Sequence, residues 1–574
     1  MKSWEKFLPW ALLPVALAQY SGFWLPYHSA KWLAFFALAS IVLPILFFYR
    51  PTFPKLNKWE WVGFLTVLSV TVFHLFWFRQ ETYEFSLLDR LSFLIILCAF
   101  WRGFSERLSW NDFKVPLAIL LGLLSGVGLF QFLQSGRFKE MPYFSMAAMQ
   151  GHSNLSSQLV GLCLVLFLSV FSWNKVSKSK KVLVLSLAFF SILYLVVARG
   201  RSVLLALSMV SLVYLFIYFR NKKHIPWKYL FVSLLVTYCS LVGLQMIQGT
   251  TFSDSLNLSI FNQKSPMHSF RVDVWTQTLK MIQAHPLGVG VDRFIFSFIP
   301  FHKEGFTLSW VNVAANPHNE FLRYLAEDGV PLSVLFLGVF LWWGKRAYSQ
   351  RKVLSVLLFP GIFLLLEMTF QFPFLIAPIV FLWAAMLGFV LSKIYQPQKL
   401  VPAVPANFVM GVVCLVFLGL VSKVYGSRFF ERSDNTEKAK ISCEWAPGNW
   451  NGCLQYARIL AKAGSLVEAR IVVEKILARD PWNYAAIRHL SYIAMNQGDR
   501  LESCFLTWKY DDLFRGNSDL QEIYAKNCPK NWRDYFERKR PVKYYPRAKK
   551  SVPQARQNLR STKKPKKDLR SRGN

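Results

Sequence analysis

Apolar residues in this chain come in long blocks, not in alternation. Runs with few charges recur at about 7–24, 31–49, 60–78, 86–101, 115–133, 155–173, 182–198, 202–219, 229–247, 320–343, 353–371, 374–392 and 407–425. Most match the ~20 residues that a helix rising ~1.5 Å per residue needs to cross a hydrocarbon core. Short polar segments separate them, and after about 425 the blocks stop. The pattern predicts an all-α chain: a polytopic membrane protein of about 12–13 transmembrane helices, then a small soluble α-helical repeat domain. The predicted domains are 1–425, with a large loop at about 248–317, then 426–537, then a tail at 538–574. The first run carries no evident cleavage site and reads as a retained anchor.

Composition agrees. The 574 residues are 53% hydrophobic and only 17% charged, too apolar for a soluble chain of this length. The formal charge of +35 does not point to nucleic acid, because much of it lies in short loops between apolar runs. Arg50, Lys55 and Lys58 follow the second run, and Arg102, Arg107 and Lys114 the fourth. Lys175, Lys178, Lys180 and Lys181 follow the sixth, Arg220, Lys222, Lys223 and Lys228 the eighth, and Lys345, Arg346, Arg351 and Lys352 the tenth. By the positive-inside rule these loops are cytoplasmic. The loop at 248–317 and everything after 426 then lie outside, in the periplasm of a Gram-negative cell. The tail from Arg538 holds fifteen Lys or Arg against the single acid Asp568 and has little to bury, which predicts disorder. It is either simply solvated or in contact with anionic lipid or polysaccharide.

Cys98, Cys163, Cys239 and Cys414 fall in apolar runs and read as inert. Cys443, Cys453, Cys504 and Cys528 fall in the outer domain, where an even number suggests disulfides. Of the three pairings, Cys443–Cys453 with Cys504–Cys528 is the one expected here. Within 449–515, Asn449-Trp450 recurs as Asn483-Tyr484 and Gly464 as Gly498, each 34 residues on, with Ala469 and Pro481 as small residue and helix stop. The segment resembles tetratricopeptide repeats, stacked helix pairs that either bind a protein or glycan partner or cap the membrane domain.

The chemistry concentrates in a few places. Asn316 and Pro317 suit the start of a helix, which would put His318 in its first turn and disfavour an imidazolium there. A neutral imidazole is what a general base needs. Glu320, Arg323 and Glu327 share one helix face. The apolar stretch 330–343 covers only ~21 Å, so the His318 helix is expected to supply the remaining turns, with a bend near Gly329 and Pro331. Arg199-Gly200-Arg201 forms a tight turn between two apolar runs on the outer side, where basic residues are disfavoured. Guanidinium there suits a pyrophosphate, or else snorkels to lipid phosphate. Arg271 opens an amphipathic stretch and serves either an anion or a pair with Asp273 or Glu304. Asn154, in Gly151-His152-Ser153-Asn154, either meets a sugar or caps a helix, and Glu367 sits in an apolar run as a partner for an arginine. No Asp-x-Asp in the membrane part and no Gly-rich phosphate loop offers a metal or nucleotide site.

At these residues the chain resembles the O-antigen ligase and O-antigen polymerase superfamily, over roughly 60–395. The resemblance rests on His318-Asn319 through Gly329, on Arg271, Trp275, Pro286 to Gly290 and Phe294 upstream, and on the Arg199-Gly200-Arg201 turn. Leu332 departs from a second glycine common in ligases. The resemblance implies a cofactor-free, metal-independent, inverting glycosyl transfer from an undecaprenyl-pyrophosphate glycan at the periplasmic face of the bacterial inner membrane. His318 would be the catalytic base. Arg199, Arg201 and Arg271 would hold the pyrophosphate, with Asn319, Asn154 and Glu320 as weaker substrate contacts. The acceptor would be lipid A–core (ranked first), another glycan repeat unit, or a protein. Membrane lipids, and a protein partner on the repeat domain, complete the expected contacts. Two readings of another class remain: a polytopic transporter, or a scaffold whose repeats recruit envelope proteins. Charge gathered at one membrane surface, rather than at mid-membrane, favours the enzyme.

Overall fold

The computed structural model describes residues 4–19, 26–46, 52–54, 84–135, 148, 150, 152–171, 177–198, 200–220, 266–291, 293–301, 316–348, 350, 355–395, 397–399, 404–481, 483–513 and 528. The apolar runs predicted at 60–78 and 229–247, the tail at 538–574, Arg199, Cys239 and Glu304 lie outside them.

Helices account for nearly all described secondary structure. In chain order they are α1 (Leu12–Leu17), α2 (Pro26–Pro44), α3 (Glu84–Glu106), α4 (Lys114–Ser135), α5 (Ser153–Val170), α6 (Lys178–Val197), α7 (Arg201–Arg220), α8 (Pro266–Ala284), α9 (Phe294–Phe298) and α10 (Glu320–Glu327). There follow α11 (Val330–Tyr348), α12 (Leu358–Phe370), α13 (Ala377–Ile394), α14 (Val404–Phe430), α15 (Thr436–Trp445), α16 (Trp450–Lys462), α17 (Leu466–Arg479), α18 (Tyr484–Asn496) and α19 (Arg500–Leu513). One three-residue antiparallel pair, β1 (Thr52–Pro54) with β2 (Pro397–Lys399), ties two loops together.

Among the described residues five helices are long and apolar enough to cross a membrane: α4 with the turn before it, α5, α6, α11 and α13. Shorter apolar helices lie within α2, α7 and α12. The first apolar run is not one helix. It splits into a 3-10 segment, Trp4–Ala11, and the short α1, because Pro9 and Pro14 interrupt the hydrogen-bond ladder. The expectation for 330–343 also changes. α11 continues through Lys345 and Arg346 to Tyr348, and its 19 residues reach roughly 28 Å unaided. Basic side chains at a helix C-terminus suit its dipole and can extend their heads away from lipid, so the helix outlasts its apolar stretch. α10 is a separate helix, not the missing part of a span.

The apolar core lies where α3 packs against α13. Gly388 permits the approach: a Cβ there would meet Phe100 Cβ at 2.6 Å and Trp101 N at 2.7 Å. Phe100, Phe104, Trp110, Phe113, Phe381 and Phe389 interlock around that contact in tilted and edge-on pairs.

Beyond α14 the chain forms helix pairs, α16 with α17 and α18 with α19. Gly464 and Gly498 close the first helix of each pair in the left-handed region, at φ +85° and +84°. Ala469, Val473, Ala486, Ile487 and Ile493 fill the shared core. Cys443 is bonded to Cys453, and Cys504 to Cys528. This unit docks on the segment that follows α8. Arg293 donates to Asp480 Oδ1 at 2.9 Å and to the Arg479 carbonyl at 2.6 Å, both with little exposure. Phe296 meets Trp450 edge-on at 6.0 Å, and Ile299 enters the core of this unit.

The Arg293–Asp480 pair is therefore a tether between the two parts. Removing one partner of a buried pair costs about 3–5 kcal/mol. For Asp480→Ala we expect faster hydrogen exchange at 293–301, with exchange in α3 and α13 unchanged. Unaltered exchange at 293–301 would rule the tether out.

Candidate active site

His318 begins the site. It is half-buried and lies in the left-handed region at φ +49°, uncommon for a residue with a Cβ. Two contacts hold it there. Its N–H donates to Asn316 Oδ1 at 3.1 Å, closing an Asx turn, and the indole of Trp275 donates to the Pro317 carbonyl at 2.8 Å. Trp275 sits one turn after Arg271 on α8, so the loop at 316–318 is fastened to the helix that carries the arginine.

The cap of α10 corrects the sequence expectation. Asn319, not Asn316, is the N-cap: its Oδ1 accepts from Leu322 N at 3.0 Å, and helical geometry starts at Glu320. His318 precedes the helix instead of occupying its first turn. The side-chain amide of Asn319 donates to the Thr369 carbonyl at the end of α12, at 3.1 Å. Asn319 is thus a structural cap and tie.

The imidazole is nevertheless held neutral. Burial, reinforced by the Arg271 guanidinium and by His152, pushes its pKa down to about 4, against a hydrogen bond that the ring donates to Gln371, which favours the charged form. The Phe372 ring packs against it at 5.3 Å between centroids. His152 caps α5, its Nδ1 accepting from Asn154 N at 3.1 Å, and burial lowers its pKa too. Asn154 contributes its backbone to that cap, so of this pair His152 is the group that acts on His318.

Gly200 and the start of α7 reach the same place through their neighbours. Gly200 lies so close to α5 that a Cβ would meet Ser157 Oγ at 2.8 Å. Ser202, one residue after Arg201, donates to Glu367 Oε2 at 3.3 Å and accepts from Gln371 Nε2 at 3.2 Å. The backbone of Arg201 therefore opens α7 beside Gln371 and Glu367. Arg271 acts electrostatically on both His318 and Glu367. The starts of α5, α7 and α10 converge here, each presenting the positive end of a helix dipole. Such an arrangement favours an anion. Among the described residues no group of three or more His, Cys, Asp or Glu is placed to hold a metal.

Glu320, expected as a weaker substrate contact, lies in an ion network. It is fully buried and engaged by Arg323, whose Nε donates to its Oε1 at 2.9 Å, while Arg323 Nη1 lies 3.5 Å from Glu327 Oε2. Asp328 pairs with Arg90 of α3. These ions brace α10 along its length and tie its end to α3.

One backbone joint sets the position of α10. Gly288 and Gly329, at φ +91° and +83°, touch back to back: a Cβ on Gly329 would lie 2.8 Å from Gly288 N. Val289 N donates to the Ala326 carbonyl and Gly290 N to the Glu327 carbonyl, both at 3.0 Å, and Val330 N donates to the Pro286 carbonyl at 2.9 Å. The Pro286–Gly290 motif and Gly329, separate in sequence, are the two halves of this joint. Phe294 and Phe298 then pack with Val274, Met281 and Ala326 beneath it.

His318, Arg271 and the 199–201 turn were all legible as candidates, and the structure gathers His318, Arg271 and the start of α7. Gln371 and Ser202 were missed as site residues, being ordinary polar residues at helix ends. Glu367, a carboxylate in an apolar run, left a signal, and His152 was noted within Gly151-His152-Ser153-Asn154.

Residues 186–337 match the family described as O-antigen ligase. The matched stretch runs from α6 into α11 and contains the 199–201 turn, Arg271, both halves of the glycine joint and His318. No curated protein sequence matches the chain.

The joint is open to a direct test. Gly329→Ala places a Cβ on a left-handed residue, costing at least ~1–2 kcal/mol, and also against backbone that cannot yield. A lower melting temperature, with faster proteolysis near 286–301, is expected. A melting curve matching the unaltered protein would show that the joint is slack.

Proposed function

We propose that this chain, a member of the O-antigen ligase superfamily, moves a glycan from undecaprenyl pyrophosphate to an acceptor hydroxyl at the periplasmic face of the inner membrane. Glycan ligation or polymerisation is what the family does in general; acceptor, face and mechanism are our reading. The observation that carries it is a neutral, half-buried imidazole beside a guanidinium, at the meeting point of three helix N-termini.

In this reading His318 takes the proton of the acceptor hydroxyl as its oxygen bonds to the anomeric carbon from the face opposite the leaving group. The bond from that carbon to the phosphate oxygen breaks, and the pyrophosphate leaves with the electron pair. Charge grows on the leaving group, where Arg271, the arginines of the 199–201 turn and the helix dipoles stabilise it. The configuration at the sugar inverts, and the proton passes from His318 to water. Lipid A–core ranks first as acceptor. The helix-pair unit, read as a tetratricopeptide-like domain at 426–537, docks on 293–301 close to the site, and this favours a protein acceptor as the second reading.

Two outcomes test the reading in purified protein supplied with undecaprenyl-pyrophosphate glycan and each acceptor in turn. His318→Ala should lower kcat by ~10²–10⁴, the usual worth of a positioned base, while the protein still inserts. Near-normal turnover would remove His318 from the chemistry. The pH profile gives the sign independently. A base with its pKa held down at about 4 is already neutral above that value, so the acid limb of kcat should fall near pH 4, not 6.5. A limb at 6.5 would mean that the imidazole is solvated during turnover.

A further inference from the structure

A general base needs more than a neutral ring. One nitrogen must present a lone pair to the hydroxyl, so the other must carry the hydrogen, and something must hold that choice. The polar chain behind His318 has the required direction. Gln371 closes α12, its N–H donating to the Glu367 carbonyl at 2.7 Å, so its side chain and that of Glu367 stand one turn apart on one face. Gln371 Nε2 donates to Ser202 Oγ at 3.2 Å, and the Ser202 hydroxyl donates to Glu367 Oε2 at 3.3 Å. With its nitrogen committed to Ser202, the amide turns its oxygen toward the imidazole, with which it is hydrogen-bonded. An amide oxygen only accepts. The nitrogen facing Gln371 is therefore the protonated one, and the other is left as the base. The carboxyl group at the far end accepts from Ser202 through Oε2, which leaves the Ser202 oxygen to accept from Gln371. All three anchors are buried. The Phe372 ring and the tie from Asn319 to the Thr369 carbonyl hold His318 against this part of the chain.

We propose that Gln371 is a positioning residue for His318: oriented by Ser202 and Glu367, its amide oxygen fixes the tautomer and ring angle in which the imidazole accepts the proton. This rests on the reading of His318 as base. The charged or titratable groups that face or act on the imidazole are Arg271 from α8 and His152 from the start of α5, with Glu367 behind Gln371 on α12. The first two oppose an imidazolium, while Gln371 favours it.

The test uses the full-length protein in lipid nanodiscs, with undecaprenyl-pyrophosphate glycan as donor. Gln371→Leu removes the amide at similar volume. Loss of an orienting partner behind a functional histidine typically costs 10–100-fold, so kcat should fall by about that factor, with KM for the donor within about twofold. Gln371→Glu keeps an acceptor oxygen but adds charge that favours the imidazolium. It should retain more turnover than Gln371→Leu and move the acid limb of the kcat profile to higher pH. A Gln371→Leu enzyme with unaltered kcat, or a Gln371→Glu profile whose acid limb stays in place, overturns the proposal. If Gln371→Leu fails to insert, the Gln371→Glu profile alone decides. Failure of the underlying reading looks different. There His318→Ala itself stays active, whereas an inactive His318→Ala beside a fully active Gln371→Leu sinks only the positioning role.

Discussion

The back-to-back contact of Gly288 and Gly329 is the constraint on which the site depends. Three backbone hydrogen bonds cross it, and neither residue can carry a side chain. It fixes the end of α10 and the beginning of α11 against the turn that follows α8. Because α10 is only eight residues long, fixing its far end also limits where its first residue can be. His318 stands two residues before that first residue, next to the Asn319 cap. The buried ions Glu320, Arg323, Glu327 and Asp328 are best understood in this light. Paired with one another and with Arg90, they brace a short helix on its joint.

The second constraint is electrostatic. A solvated histidine would ordinarily exchange protons with water near neutrality. Here burial and a nearby guanidinium hold it neutral, while one amide resists that pull. In the proposed reaction the same guanidinium that discourages an imidazolium would receive negative charge, so one cation would serve both ends. This pairing is what separates the site from a merely polar cavity between helices.

Sequence carried much of this, and the failures have identifiable causes. The helical blocks were legible because apolar length is a direct consequence of bilayer thickness. Two of them were misjudged locally. Pro9 and Pro14 break the first, and α11 runs on through Lys345 and Arg346, which a count of apolar residues stops short of. Asn316 and Asn319 are equally good caps by residue type. The choice between them was made by Trp275 and Thr369, partners that lie 42 and 50 residues away in the chain. His318, Arg271 and the glycines stood out because each is costly where it lies. Gln371 and Ser202 did not, since a glutamine after a helix and a serine in a first turn are common; their meaning comes from being brought together across 169 residues.

The docking of the helix-pair unit has a consequence in time. Arg293 and Asp480 are separated by 187 residues, and the whole of α10 to α14 is synthesised between them. Segments made early in a chain fold before those made late. The glycine joint can form as soon as α11 emerges, but the segment 293–301 beneath it gains its last support only when α17 has been made and folded. A chain cut short after the membrane helices would contain every residue of the candidate site, yet its underside would be unfinished. Assembly of the site is therefore linked to completion of the polypeptide.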